Sequence, residues 1–184
     1  MIRVLINMIR PEFREALENQ QQVLVFLWAV FFCGIFIYLW IAEFLLAKLG
    51  SPTGSPATEL ARIMIWVLGF VELGTLVWWK KRSLTKEAIL GGAKKYKLLQ
   101  ALHGHSSRLE ERAATVVSSY ITSKIVAFAI IEAIAVYGLV VNIVGRYIVD
   151  QYLLSFASGA LLVVEFPLKP RLQELLSEVE KENL

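Results

Sequence analysis

The sequence predicts an all-α integral membrane protein with four transmembrane helices and cytoplasmic helical extensions. Two observations lead to this fold class. Hydrophobic residues make up 57% of the 184-residue chain, whereas soluble domains average about 45–50%, and the excess is concentrated in four apolar blocks. Each block has about 19 to 24 residues, enough for a helix rising 1.5 Å per residue to cross a hydrocarbon core of about 30 Å.

The four apolar blocks lie near residues 23–46, 61–79, 125–144 and 148–166. The first block is too long for a signal peptide, and no small-residue cleavage site follows it, so we interpret it as a permanent span. The stretch GSPTGSP before the second block is rich in helix-breaking residues and predicts a loop. Ser55 or Thr58 is placed to cap the helix that follows.

The basic residues predict the orientation of the spans. Sixteen of the 19 lysines and arginines lie in the two termini and the middle segment, and three lie in the two other connections. Under the positive-inside rule, both termini and the middle segment are cytoplasmic. We therefore expect a multi-pass protein of the cell inner (plasma) membrane. In the short connection between spans three and four, Arg146 is expected to pair with Asp150 four residues further on.

The chain thus divides into five segments. They are an N-terminal cytoplasmic or interfacial segment, transmembrane helices 1 and 2, a basic cytoplasmic helical segment, transmembrane helices 3 and 4, and a C-terminal amphipathic cytoplasmic helix (1–22, 23–79, 80–124, 125–166 and 167–184). Ser107 and Glu110 form a capping-box pattern, so the third helix is predicted to begin near Arg108 and to continue into the membrane. Four apolar residues of the tail share one helical face: Leu172, Leu175, Leu176 and Val179.

An aromatic and basic cluster marks the end of the second span. Two tryptophans are followed at once by three cations, a pattern typical of the membrane surface, with the rings at the interface and the charges beyond it. Membrane lipids are accordingly expected partners. The basic middle segment also suits anionic headgroups, so we expect no nucleic acid. The predicted lipid headgroup anchor consists of Trp78, Trp79, Lys80, Lys81 and Arg82.

Two carboxylates lie deep in the spans. Glu72 lies eight residues before Lys80 and Glu132 lies eight residues after Lys124, so each is about 12 Å along its helix from the cytoplasmic surface. A charge at the bilayer centre costs about 2.5–3.5 kcal/mol on insertion scales, and such residues are usually paired or functional. Both are candidate ion-binding residues, and they could share a proton if spans two and three are neighbours. Alternatively, each forms a hydrogen bond in a static bundle.

Small and amide-bearing residues accompany both carboxylates. At about 100° of helical rotation per residue, the faces of Glu132 and Glu72 carry residues that let helices approach closely or form hydrogen bonds between them. Such an interface serves either packing within one subunit or contact between subunits. The predicted helix interface consists of Ala129, Ala135, Gly138, Asn142, Gly69 and Thr75.

The stretch IEAIAVYGLVVN, at positions 131–142, resembles the second helix of the proteolipid (c) subunit of rotary ATP synthases. The resemblance implies that Glu132 carries a proton and that Tyr137 supplies a supporting hydroxyl. That family's glycine-rich first helix and short polar hairpin are absent here, and ideal helical geometry points Tyr137 about 140° away from Glu132. The matching residues are Glu132, Ala133, Tyr137, Gly138, Leu139, Val140 and Val141.

The sequence favours two classes of function and leaves a third open, that of a lipid- or small-molecule-binding membrane protein. The first is a self-assembling or scaffolding protein, acting as a homo-oligomer or with other subunits of a membrane complex. The alternative is a proton- or cation-translocating or channel-forming protein that uses Glu132, Glu72 and Tyr137. We expect neither an enzyme nor a cofactor, because no nucleophile–base pair, P-loop or dinucleotide motif is present. No metal site is expected, because one cysteine and two histidines, His103 and His105, do not form a ligand pattern.

Overall fold

Six helices form the described part of the chain in the computed structural model, which describes residues 11–44, 55–91 and 108–181. None of these residues belongs to a β-strand, so the predicted all-α fold class is confirmed for them. The predictions made for His103, His105 and Ser107 lie outside the described residues. In chain order, α1 is Pro11–Phe44, α2 is Pro56–Ser83, α3 is Lys86–Gly91, α4 is Arg108–Gly145, α5 is Ile148–Val164 and α6 is Lys169–Lys181.

Three helical segments are each long and apolar enough to cross a membrane: Asn19–Phe44, Pro56–Ser83 and Glu110–Gly145. The fourth predicted span is shorter, because α5 has 17 residues and therefore rises only about 26 Å. It reaches spanning length together with Lys169–Val179 of α6, across a bend of 45°. The described residues thus contain three helices of spanning length and composition, or four if the bent pair is one span.

The start of α2 is capped by the two residues that the sequence indicates. The Ser55 hydroxyl accepts a hydrogen bond from the Thr58 N–H at 3.3 Å, and the Thr58 hydroxyl accepts one from the Ser55 N–H at 3.1 Å. These reciprocal bonds satisfy amide groups that have no partner within the helix. Pro56 occupies the first helical position, where a missing N–H removes no helical hydrogen bond.

The helix α4 runs unbroken for 38 residues from Arg108, as predicted, and a tight turn separates it from α5. Arg146 adopts a φ of 59°, in the left-handed region that usually follows a helix end. Its N–H donates to the Asn142 carbonyl at 2.9 Å, which closes the last turn of α4. A side chain on Gly145 would overlap the Tyr147 ring, so the turn requires glycine at that position.

The described helices belong to two compact units. The first unit comprises Met1–Phe26, Lys80–Ile125 and Pro167–Leu184, and the second comprises Leu27–Trp79 and Val126–Phe166. The second unit contains most of the four predicted spans, and the first contains the segments predicted to be cytoplasmic. The long helices α1 and α4 each contribute residues to both units.

In the first unit, α6 buries its predicted apolar face. Leu172, Leu175 and Val179 are 3%, 4% and 0% exposed. The helix α6 also contacts α3, and the Lys86 Nζ and Glu178 Oε1 atoms lie 3.0 Å apart. The hydrogen bond from the Lys86 ammonium lowers the pKa of the Glu178 carboxyl below its ordinary value of 4.5, against the smaller opposing effect of desolvation.

The second unit is apolar on its outer surface as well as in its core. Large hydrophobic side chains remain exposed on α1, α2 and α5, among them Phe36 at 57%, Phe70 at 65% and Phe156 at 79%. An exposed apolar surface of this extent is unusual for a soluble monomer, whereas lipid tails are as apolar as the side chains themselves. The surface is therefore compatible with a membrane location.

Candidate functional site

Glu132 of α4 forms a hydrogen bond with α1. The side chain is half-buried, and its Oε1 atom accepts a hydrogen bond from the Tyr38 hydroxyl at 2.7 Å. The position of this carboxyl depends on a glycine, because a Cβ atom on Gly34 would lie 2.8 Å from the same carboxyl oxygen. The two helices therefore meet where a small α1 residue leaves room for a carboxyl group, and α1 also supplies its hydrogen-bond donor.

Glu72 of α2 has a different tyrosine partner. The Tyr137 hydroxyl of α4 donates to the Glu72 Oε1 atom at 3.1 Å. The proteolipid resemblance implied that Tyr137 supports Glu132, but the structure directs its hydroxyl to Glu72. The reason is that five residues of α-helix place Tyr137 and Glu132 on different faces of α4. Each of the two deep carboxyls is thus bonded to its own phenol on a neighbouring helix.

Gln151 links α5 to two other helices. The residue is 0% exposed. Its Nε2 atom donates to the Tyr38 carbonyl of α1 at 2.9 Å, and its Oε1 atom accepts from the Asn142 Nδ2 atom of α4 at 2.6 Å. Because both ends of this buried amide are bonded, it restricts how the three helices pack against one another.

Asp150, in the first turn of α5, forms an ion pair with Arg62 of α2. The Arg62 Nε atom lies 2.5 Å from Oδ2 of the carboxylate, and Nη2 lies 3.2 Å from Oδ1. The sequence did not indicate Arg62 as a partner of Asp150. The pairing of Arg146 with Asp150 that it did indicate stays a prediction. The Arg62 guanidinium also lies 4.7 Å from the centre of the Tyr147 ring, within the range of a cation–π contact.

The predicted interface residues differ in their surroundings. Gly138 lets α4 approach α5 closely, because a Cβ atom there would lie 3.1 Å from the Gln151 carbonyl oxygen. The Thr75 hydroxyl donates to the Val71 carbonyl of its own helix at 2.9 Å, and Ala129 is exposed. Neither of these two contributes a buried contact between helices here. The buried members of the set are Ala135, Gly138, Asn142 and Gly69.

The predicted headgroup anchor occupies the C-terminal end of α2. Trp78, Lys81 and Arg82 are exposed, whereas Trp79 and Lys80 are half-buried. The three cations lie in the last turn of the helix, where positive charge is favoured by the helix dipole. The cluster therefore stabilises the helix end, and its contact with lipid headgroups stays a prediction.

Side-chain hydrogen bonds and one ion pair thus link α1, α2, α4 and α5 within the second unit. Chemically, this polar network contains two carboxyls that can each accept a phenol hydrogen bond or take up a proton, and one fixed ion pair. In the described ranges, no group of three or more His, Cys, Asp or Glu side chains is placed to hold a metal ion. The network consists of Tyr38, Arg62, Glu72, Glu132, Tyr137, Asn142, Asp150 and Gln151.

Three of the network residues escaped prediction, namely Tyr38, Arg62 and Gln151, and so did the role of Gly34. Gln151 left a usable signal, because an amide nine residues after Asn142 across a very short connection is placed to face it in a helical hairpin. Comparisons with protein-family models, with curated proteins and with solved structures find no match to this chain.

Proposed function

We propose that this protein is a structural subunit of a membrane complex, assembling with copies of itself or with other membrane proteins, and that its deep carboxyls serve helix packing. The polar network is the observation that supports this proposal. Each of its contacts joins two different helices. Interhelical hydrogen bonds in membrane proteins contribute about 0.6 kcal/mol each on average, so the four hydrogen bonds together contribute roughly 2 kcal/mol to holding the bundle in one arrangement, besides the ion pair.

The outer surface supports the assembly part of the proposal. Membrane helices associate through close packing at small residues, and several small residues of the second unit face outward, among them Gly74 and Ala129. Among the described residues, no atom beyond the neighbouring turns of α2 lies within 4 Å of the position that a Cβ on Gly74 would take, and Ala129 of α4 is exposed. A bundle that is fixed internally and carries small residues externally suits a scaffold, because a partner helix can pack against it without rearranging it.

Two substitutions test the structural role of Glu132. In Glu132→Gln, the amide oxygen still accepts the Tyr38 hydrogen bond, so we expect a melting temperature in detergent close to that of the wild type. In Tyr38→Phe the donor is lost, and at about 2–4 °C per kcal/mol for a chain of this size the melting temperature should fall by roughly 1–7 °C for a bond worth about 0.6–1.7 kcal/mol. The opposite ranking of the two variants would contradict the structural role.

The particle size in mild detergent tests the assembly part. We expect a mass of two or more chains, and Gly74→Leu or Ala129→Leu should shift it toward the monomer if either small residue lies in the contact. A wild-type protein that remains monomeric at every concentration, and also in lipid nanodiscs, would refute self-assembly.

Proton or cation translocation is the second candidate, and the chemistry of the carboxyl partners favours it. Glu72 and Glu132 lie at matched predicted depth, and the hydrogen-bond partner of each is a neutral phenol, an arrangement that leaves a carboxyl able to exchange a proton. The test is proton flux in liposomes under a pH gradient and a voltage. If liposomes that contain the wild-type protein show no more proton flux than empty liposomes, transport is refuted. A wild-type flux that disappears in Glu132→Gln or Glu72→Gln supports it and overturns the purely structural role.

The proposed location is the cell inner (plasma) membrane, with both termini in the cytoplasm. The distribution of basic residues supports this orientation, as does the cluster Trp78–Arg82 at the end of α2. In a Cys33→Ser background, a cysteine appended to the C terminus should react with a membrane-impermeant maleimide only after the cells are opened. Labelling in intact cells would show that the C terminus lies outside the cell and would contradict the proposed orientation.

A further inference from the structure

An apolar groove runs between α1 and α5 in the second unit. Its volume is about 530 Å³, within the range of about 300–1,000 Å³ that is typical of small-molecule sites. Three phenylalanine rings line it, from Phe32 and Phe36 on α1 and Phe156 on α5. Between Tyr152 and Val163, the two α5 residues at its ends, the groove follows the helix for about 16 Å.

A buried hydroxyl in this groove has no partner. Ser155 lines the groove and is 2% exposed, and in the described part of the chain its Oγ atom makes no hydrogen bond. Buried hydroxyls are nearly always bonded, because leaving one unpaired costs about 1–3 kcal/mol. One turn further along α5, Ser158 follows the rule and donates to the Ile131 carbonyl at 2.8 Å. The unpaired Ser155 hydroxyl therefore suggests a partner from outside the chain. Rotation about the χ1 bond of Ser155 can point its hydroxyl at a molecule bound in the groove.

Water is unsuited to this position. A buried water needs two to four polar partners, and the lining offers little besides the Ser155 hydroxyl, because the other hydroxyl, of Tyr152, is already bonded to the Glu43 carboxyl. That carboxyl also disfavours an anionic ligand at this end of the groove. What fits is a neutral molecule that is mostly apolar and carries an oxygen to accept from Ser155.

We propose that this groove binds one neutral, lipid-soluble carbonyl compound of the quinone type. Its flat ring packs against the three phenylalanines, for which offset or edge-to-face contact is favourable. One ring carbonyl accepts the Ser155 hydrogen bond, and the apolar tail lies along α5 toward Val163. Gly159 keeps the groove open. A Cβ atom there would lie 3.8 Å from the Ile35 Cδ1 atom, so a methyl group fits without a clash but a larger side chain fills the groove.

The test uses native mass spectrometry of the full-length protein in detergent, with a benzoquinone carrying a ten-carbon tail as the probe. Two comparison compounds with tails of equal length are decylbenzene, which has a ring but no carbonyl, and a fatty acid methyl ester, which has a carbonyl but no ring. We expect one quinone per chain and weaker retention of the other two. Ser155→Ala should weaken quinone binding roughly two- to tenfold, the value of one hydrogen bond. Gly159→Leu should abolish binding, and Val77→Leu, at an exposed position of α2, should leave it unchanged.

A second measurement separates ligand binding from a structural role of the hydroxyl. Without ligand, Ser155→Ala removes an unpaired buried group, so its melting temperature should equal or exceed that of the wild type. A lower melting temperature would show that Ser155 has an internal role and would overturn the proposal. Equal retention of all three compounds would mean that any apolar chain fills the groove. Preference for the methyl ester would identify an acyl lipid instead, and a dimer that Gly159→Leu converts to a monomer would identify a second copy of the chain as the occupant.

Discussion

Replacing Gly34 by alanine tests whether the Tyr38–Glu132 contact stabilises the protein. The new Cβ atom would lie 2.8 Å from the Glu132 Oε1 atom, too close for either to stay in place. Because the carboxyl is the end of a flexible side chain, it swings away, and the hydrogen bond to Tyr38 is lost. We therefore expect the lost contact to lower the free energy of unfolding by about 0.6 kcal/mol, and by at most about 1.7 kcal/mol. These are the average and the maximum measured for interhelical hydrogen bonds in a membrane protein.

Gly74→Ala is the matched control, because nothing in the described part of the chain outside its own helix lies within 4 Å of the position of its new Cβ atom. Both variants gain about 0.8–1.0 kcal/mol of helix propensity, so their difference isolates the lost contact. In thermal unfolding in detergent, Gly34→Ala should melt roughly 1–7 °C below Gly74→Ala, at about 2–4 °C per kcal/mol. In a Tyr38→Phe background, where there is no bond to lose, the difference should disappear. Equal melting of the two alanine variants in the wild-type background would refute the reasoning.

Three further predictions concern other polar contacts. Gln151→Leu removes both of its hydrogen bonds and should lower the free energy of unfolding by about 1–3 kcal/mol; an unchanged unfolding curve in detergent would show that these bonds contribute nothing. Asp150→Asn removes the charge that faces Arg62 and should lower the free energy of unfolding in detergent; since the Asp150 side chain is 6% and the Arg62 side chain 40% exposed, Arg62→Gln should lower it further, because that variant leaves a buried carboxylate without its cation. Because the pKa of Glu178 is lowered in the folded protein, the stabilisation that this ion pair gives to the folded state is fully present above pH 4.5, the ordinary pKa. It is lost as the pH falls through the pKa of the folded state. The protection factors of the α6 amides, which are exchange rates corrected for intrinsic pH dependence, should therefore fall in acid in the wild type and depend less on pH in Lys86→Met; an identical pH dependence would contradict the role of the ion pair.

The helices could largely be predicted from the sequence because their signals are local. Apolar blocks of spanning length, the Ser55–Thr58 cap and the start of α4 at Arg108 all depend on neighbouring residues. The shortness of α5 could not be predicted in this way. Its apolar composition extends through Phe166, but the helix ends at Val164 and the chain bends before α6 begins at Lys169.

The candidate site was predictable only in part. Glu72 and Glu132 stand out because a carboxyl within an apolar span is unfavourable wherever the helix lies. Their partners depend on how helices that are distant in sequence are rotated against one another. The residues around each carboxyl do not determine that rotation. Tyr38 lies among many aromatic residues of α1, so nothing in its neighbourhood distinguishes it. The small-residue pattern identified the buried Ala135 and the exposed Ala129 alike, because residue size indicates a close approach without indicating which neighbour makes it.

The two-residue turn between α4 and α5 has a consequence for the order in which the protein assembles. Asn142 and Gln151 are nine residues apart along the chain, whereas Tyr38 and Glu132 are 94 apart. A short loop loses less entropy on closing than a long one, so α4 and α5 can pair as soon as both have left the ribosome. The helix α1, although synthesised first, obtains the polar partners of Tyr38 from these later helices. Its final place in the bundle is therefore fixed last.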